Sequence, residues 1–138
     1  MAMKLSEMMV DKKAQEEGEW VEWRDGVRAK IRSAETLAYT KLHEKLHKPY
    51  ANILRHGGRI PREKSEEITV QCLAEVVLID WDGIINDDGK PIKYSPEKAV
   101  KFLTEAIDFR DFVTFAAYDR NNFRVKAKEA ATKNSSPS

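Results

Sequence analysis

Apolar and polar positions along this chain change their period several times, and each change marks an element. Leu5, Met8 and Met9 share one helical face, followed by the almost wholly polar run Asp11 to Glu17 and a stop at Gly18. This reads as a charged N-terminal arm, residues 1–18, containing a short helix. Trp20-Val21-Glu22-Trp23 and Val27-Arg28-Ala29-Lys30-Ile31 then flank Asp25-Gly26. An Asp-Gly pair between short alternating runs is a β-hairpin signal, because both central positions of that turn need positive φ. Trp23 and Val27 are placed to pair across it.

Helical spacing returns at Ala38, Leu42, Leu46, Tyr50 and Ile53 after Ser33, a good N-cap, with Pro49 ending or kinking the helix. Gly57-Gly58 marks a loop, and Pro61 suits the first turn of a third helix, which the apolar pattern extends to about Trp81. A buried strand is the second reading there, because Val76-Val77-Leu78-Ile79 alone would fit one. Asp80 to Tyr94 is turn-rich. Ser95 caps the next helix with Pro96 in its first position, and Ala99, Phe102, Leu103 and Ala106 form its inward stripe. Asp108 begins a last helix carrying Phe112, Phe115 and Ala116, with Phe123 continuing the stripe. From Lys126 the chain turns small and polar, which predicts a disordered tail over 126–138. The expected fold is mainly α: one compact domain over 19–125 of about four helices with a small N-terminal β-hairpin.

Composition narrows the function without choosing it. The 138 residues are 41% hydrophobic and 34% charged, which suits one folded domain with a densely charged surface. Twenty-four basic residues nearly cancel 23 acidic ones, so neither the basic excess nor the basic face of a nucleic-acid binder is present. The nearest approach, Arg55 to Lys64, is interrupted by Glu63 and followed by Glu66 and Glu67. Cys72, the only cysteine, sits among apolar residues and reads as an inert thiol in a reducing compartment. No apolar run nears the roughly 18 residues that a membrane span needs, and Met1 to Val10 lacks a secretory h-region. The expected location is cytoplasmic.

Two motifs invite chemistry. His43-Glu44-Lys45-Leu46-His47 matches H-E-x-x-H, in which two histidines one helical turn apart grip zinc and the glutamate activates its water. A third ligand would have to be His56, Glu63, Glu66 or Glu67, the glutamates lying beyond Pro61 on another helix. Such a pentapeptide also arises readily in a helix rich in Lys, Glu and His, so His43 and His47 are weak metal candidates. Asp80, Asp82, Asn86, Asp87 and Asp88 suggest calcium, but neither Gly83 nor Gly89 sets an EF-hand register, and these residues are better turn formers. No nucleophile arrangement and no phosphate-binding glycine loop is present, so no catalytic residue and no cofactor is expected. What remains is aromatic. Trp20, Trp23, Trp81, Phe102, Phe112, Phe115, Tyr118 and Phe123 are either core or the lining of a partner-binding groove, and sequence does not separate the two.

The order of elements from Trp20 to Arg124 resembles tail assembly chaperones of phages with long non-contractile tails. The block VLIDWDGIINDDGKPIKYSPEKAVKFL and the closing FRDFVTFAAYDRNNFR carry the resemblance most strongly. It implies a largely helical protein that works in the host cell cytoplasm and is absent from the finished particle. Its partner there would be the tape measure protein, kept soluble while tail tube subunits are recruited around it. Such chaperones are often made in two lengths by ribosomal frameshifting. Thr132-Lys133-Asn134 could be encoded by a slippery A-AAA-AAC heptamer, through which an extended product would reach the tail tube protein. Neither nucleic acid nor membrane enters this reading, and self-association stays open. The competing readings are a structural tail component retained in the virion and the zinc protease.

Overall fold

The computed structural model describes residues 1–125; the predicted tail and the Thr132–Asn134 reading lie outside the described residues. Two short helices, α1 (Leu5–Met8) and α2 (Lys12–Glu17), lead into strands β1 (Glu19–Glu22) and β2 (Arg28–Ile31). Helix α3 (Leu37–His47) runs through a 3₁₀ turn into α4 (Ala51–Arg55). Helix α5 (Arg62–Cys72) continues through a π-helical turn, Leu73–Val77, straight into strand β3 (Leu78–Asp82). Helices α6 (Pro96–Glu105) and α7 (Ile107–Tyr118) complete the domain, and a 3₁₀ turn follows at Arg120–Phe123.

The mainly α expectation is overturned by β3. The strands form a three-stranded antiparallel sheet in the order β1-β2-β3, and the molecule is mixed α/β. The third helix does not run to Trp81: it gives way at Leu73, and from Leu78 the backbone is extended. Val76, Val77 and Ile79 crowd a helix at χ1 and favour a pleated surface. The N–H and C=O groups of β2 also need partners on its second edge, and β3 supplies them: Ala29 pairs with Trp81 and Ile31 with Leu78, with a bulge between Lys30 and Ile31.

Alternation along β2 decides which face is buried. Ala29 and Ile31 are fully enclosed, while Arg28 and Lys30 face outward. On the outer face the Arg28 guanidinium lies 4.8 Å over the Trp20 ring and contacts Asp82 at 3.1 Å. On the inner face Ala29, Ile31, Leu78 and Trp81 pack with Val77 of the π turn, Ala99 and Leu103 of α6, and Phe109 and Val113 of α7. Each large side chain so enclosed contributes on the order of 1.5–3 kcal/mol.

Local signals explain most boundaries. Asp11 caps α2 by accepting from Lys13 and Ala14, and Ser95 caps α6 by accepting from Lys98 at 3.2 Å. Thr36, rather than Ser33, caps α3; the Ser33 hydroxyl instead accepts from Glu35 N–H in a preceding turn. Helix α7 starts at Ile107, where Ala106 breaks from α6. Residues 1–18 pack onto the domain through buried Ala14 and through Asp11 N–H, which donates to the Phe123 carbonyl at 2.8 Å. Helix α3 buries no residue fully, and Ile53 and Leu54 of α4 are exposed, so the apolar stripe read from Ala38 to Ile53 is only a half-buried flank. No helix among the described residues is long and apolar enough to cross a membrane.

Candidate interaction groove

The hairpin tip, the loop after β3 and the α6–α7 corner meet around an open apolar groove. Asp25 (φ 52°) and Gly26 (φ 79°) both adopt positive φ, as the Asp-Gly turn demands, and Trp23 N–H donates to the Val27 carbonyl at 2.9 Å. Gly83 (φ 86°) lies so close to this tip that a Cβ there would overlap the Gly26 carbonyl oxygen. The contact fixes Ile84 and Ile85 as one wall. The loop beyond them is closed by Asn86, whose side-chain oxygen accepts from the N–H groups of Asp88 (2.9 Å) and Lys90 (3.0 Å). Of the acidic run, Asn86 to Asp88 form this turn, while Asp80 and Asp82 lie in strand β3.

The groove has two connected parts. A cavity of about 680 Å³ lies between the hairpin tip and the α6–α7 corner, floored by Trp23, Phe102 and Phe109. A second part, of about 450 Å³, continues along α7 past Phe112 and Phe115; Trp23 and Asp108 line both. The aromatic wall is continuous. Trp23 stacks on Phe112 (centroids 5.4 Å apart) and touches Phe109 (5.8 Å), Phe109 touches Trp81 (6.4 Å), and Trp81 stacks on Phe102 (5.0 Å). Along the mouth Ile85, Ile107 and Phe115 are 59%, 58% and 74% exposed, three large apolar side chains offered to solvent beside a preformed wall.

The aromatic candidates divide into four fates. Trp23, Phe102, Phe112 and Phe115 line the groove. Trp81 is core: its indole N–H donates to the Ile92 carbonyl at 2.7 Å, and Tyr94 meets it edge-on. Phe123 is also fully enclosed. Trp20 sits on the outer sheet face beneath Arg28, away from the groove. Tyr118 lines a separate, smaller cavity of about 250 Å³ with Tyr39, His43, His47 and Cys72, its hydroxyl 3.2 Å from that of Tyr39. Burial pushes the Tyr39 phenol well above the ordinary range, and the neighbouring Tyr118 hydroxyl adds to the shift. Burial also raises the Cys72 thiol, with Glu75 adding to it, which leaves little thiolate for chemistry.

His43 and His47 stack face to face, 3.9 Å between ring centroids, and His47 Nδ1–H donates to the His43 carbonyl at 2.8 Å. Burial, with like-charged His47 second, lowers the His43 pKa. Among the described residues no group of three His, Cys, Asp or Glu side chains is placed to hold a metal ion. His56, the nearest ligand candidate in sequence, instead donates through Nδ1 to the Asn52 carbonyl.

Sequence reasoning missed Ile84, Ile85, Ile107 and the groove's acidic rim: Asp25, Glu105, Asp108, Asp111 and Asp119. A signal existed in Ile84-Ile85, an apolar pair inside a turn-rich segment, where a solvated loop would carry polar residues. The rim was partly in view: Glu105, Asp108, Asp111 and Asp119 fall in one stretch of the α6–α7 segment, and only Asp25 joins them from the hairpin tip. Among the described residues Arg24 is the one basic residue lining either part; its guanidinium lies 4.4 Å from the Trp23 ring centre and 3.7 Å from Asp108.

The described residues form a small mixed α/β domain in which an antiparallel sheet, the hairpin tip and the α6–α7 pair frame an open aromatic groove. Comparison with known families gives the lineage. A family profile described as YdaY prophage protein matches residues 33–134, well over half of the chain, and the chain belongs to that family. It is therefore a phage-related protein. No curated protein and no solved structure matches it.

Proposed function

We propose that this protein is a phage tail assembly chaperone that binds apolar helical segments of the tape measure protein, keeps them soluble and releases them as the tail tube closes around them. One observation carries the reading: Ile85, Ile107 and Phe115 stand exposed along a groove already walled by Trp23, Phe102 and Phe112. Exposing so much apolar surface on a domain this charged is a cost that a partner would remove. A wall of stacked rings is preformed, so little side-chain ordering opposes binding. The ridge of an amphipathic helix, with anchors three and four residues apart, fits an elongated groove of this kind. Membership of a prophage protein family supports a role in the phage life cycle, and the resemblance of the 76–124 region to tail chaperones supplies the partner.

In this reading the protein acts by binding and release alone, in the host cytoplasm, and does not stay in the particle. The tail tube protein would be met by a frameshifted extension beyond the described residues. Co-expression with the tape measure protein of the same gene cluster tests the proposal. Soluble tape measure that co-purifies with the wild-type chain, and is lost with Phe115→Ala, is the expected result. Insoluble tape measure with nothing retained would sink the chaperone reading, and finding this chain in purified virions would replace it with a structural tail role.

A further inference from the structure

The groove is apolar at its floor and acidic at its rim. Among the described residues, Asp25, Glu105, Asp108, Asp111 and Asp119 line its two parts and all are exposed, against Arg24 as the single base, on a chain whose net charge is +1. The imbalance is therefore local. Arg24 is already committed to the Trp23 ring and to Asp108, and among the described residues Asp25, Glu105 and Asp111 have no ion-pair partner. Asp119 accepts from the N–H of Asn121, which leaves its charge uncompensated.

Position matters as much as count. Asp108 and Asp111 are successive turns of α7, and Phe112 and Phe115 follow at the same three-residue offset; acid and aromatic therefore run as adjacent ridges along one helix. Asp25 of the hairpin tip and Glu105 of α6 line the first part from different elements, together with Ile107 and Trp23. A helix lying in the groove would set its apolar ridge on the rings and hold its two flanks against carboxylates.

We infer that the groove selects a cationic amphipathic helix: an apolar face flanked on both sides by lysine or arginine. This rests on the proposed function and names the chemistry of its partner. The same rim repels nucleic acid and anionic lipid, which would otherwise compete for an exposed aromatic surface. It also gives release a handle, because attraction between exposed charges weakens with ionic strength while the apolar contact does not.

The test uses the full chain and two synthetic amphipathic peptides with the same leucine face, one with lysine and one with glutamate at the flanking positions, titrated calorimetrically at low and high salt. The lysine peptide should bind roughly tenfold more tightly at low salt, an advantage on the scale of several exposed pairs. That preference should shrink at high salt and in the double variant Glu105→Gln/Asp111→Asn, whose exposed positions leave folding intact. Equal binding of the two peptides overturns the charge selection while leaving the groove reading in place. Binding of neither, with the chain folded by circular dichroism, overturns both.

Discussion

Two tryptophans in this domain are each stacked on a phenylalanine from the α6–α7 pair, and they do opposite things. Trp81 lies on Phe102 at 5.0 Å and Trp23 on Phe112 at 5.4 Å, with Phe109 touching both. Trp81 belongs to β3 and points to the inner sheet face opposite Ala29, where helices close over it. Trp23 stands just beyond the last paired residue of β1, where the ladder ends and the ring borders the open groove. Ring stacking alone therefore does not tell core from groove. Distance from the end of the strand ladder does, because a helix covers only as much of a face as the sheet extends beneath it.

Substitution should separate the two regions most sharply at their centres. Trp81→Ala removes an enclosed indole and its hydrogen bond to the Ile92 carbonyl, and should cost about 3–5 kcal/mol in urea unfolding. A loss under about 1 kcal/mol would mean that the two tryptophans are not different in kind. Next comes Gly83→Ala, which forces a side chain into positive φ and against the Gly26 carbonyl. It should cost about 1–2 kcal/mol from the backbone alone, more if the loop cannot shift, and should weaken partner binding by moving the wall formed by Ile84 and Ile85.

Phe115→Ala works the other way round. With 74% of this residue exposed, unfolding free energy should change by no more than about 0.5 kcal/mol, while retention of the tape measure protein falls roughly tenfold. Clear destabilisation without loss of binding would move Phe115 to the core side of the comparison.

The smallest expected effect is on pH dependence, and it lies away from both tryptophans. The His43 pKa is held down by burial and by His47, so the unfolded chain takes up that proton more readily; stability present above about 6.5 should fall as pH drops below it. The Glu35 carboxyl is lowered by its hydrogen bonds from Arg120, at 2.8 and 2.7 Å, and its contribution should be lost as pH falls below about 4.5. In acid titration monitored by circular dichroism, His43→Gln should flatten only the upper of these two steps.

What the amino-acid pattern revealed follows the range of the forces involved. The Asp25-Gly26 hairpin and the Ser95-Pro96 helix start were legible because their causes are local: two positive φ values and a hydroxyl within reach of an N–H. Strand β3 was misread as helix because Val76 to Ile79 is apolar without a period, and its extended form is fixed by β2, some fifty residues earlier. Ser33 was taken for the cap of α3 because it, Thr36 and their neighbours all offer suitable oxygens. The groove was half legible. Trp23, Phe102, Phe112 and Phe115 were named and line it, yet Trp81, Phe123, Trp20 and Tyr118 carry the same rings to other places. In the acidic rim only Asp25 is brought in by the fold; Glu105, Asp108, Asp111 and Asp119 are already neighbours along the chain.

The π-helical turn at Leu73–Val77 has a further consequence. Helix α5 becomes strand β3 with no loop between them, so a change of chain length there falls on the turn itself or on the bulge opposite Lys30 and Ile31. Removing one residue would swing every side chain of α5 by about 100° relative to the sheet, or turn the strand over. The wide turn thus acts as a phase adjuster, setting the angle at which a helical repeat hands over to a pleated one.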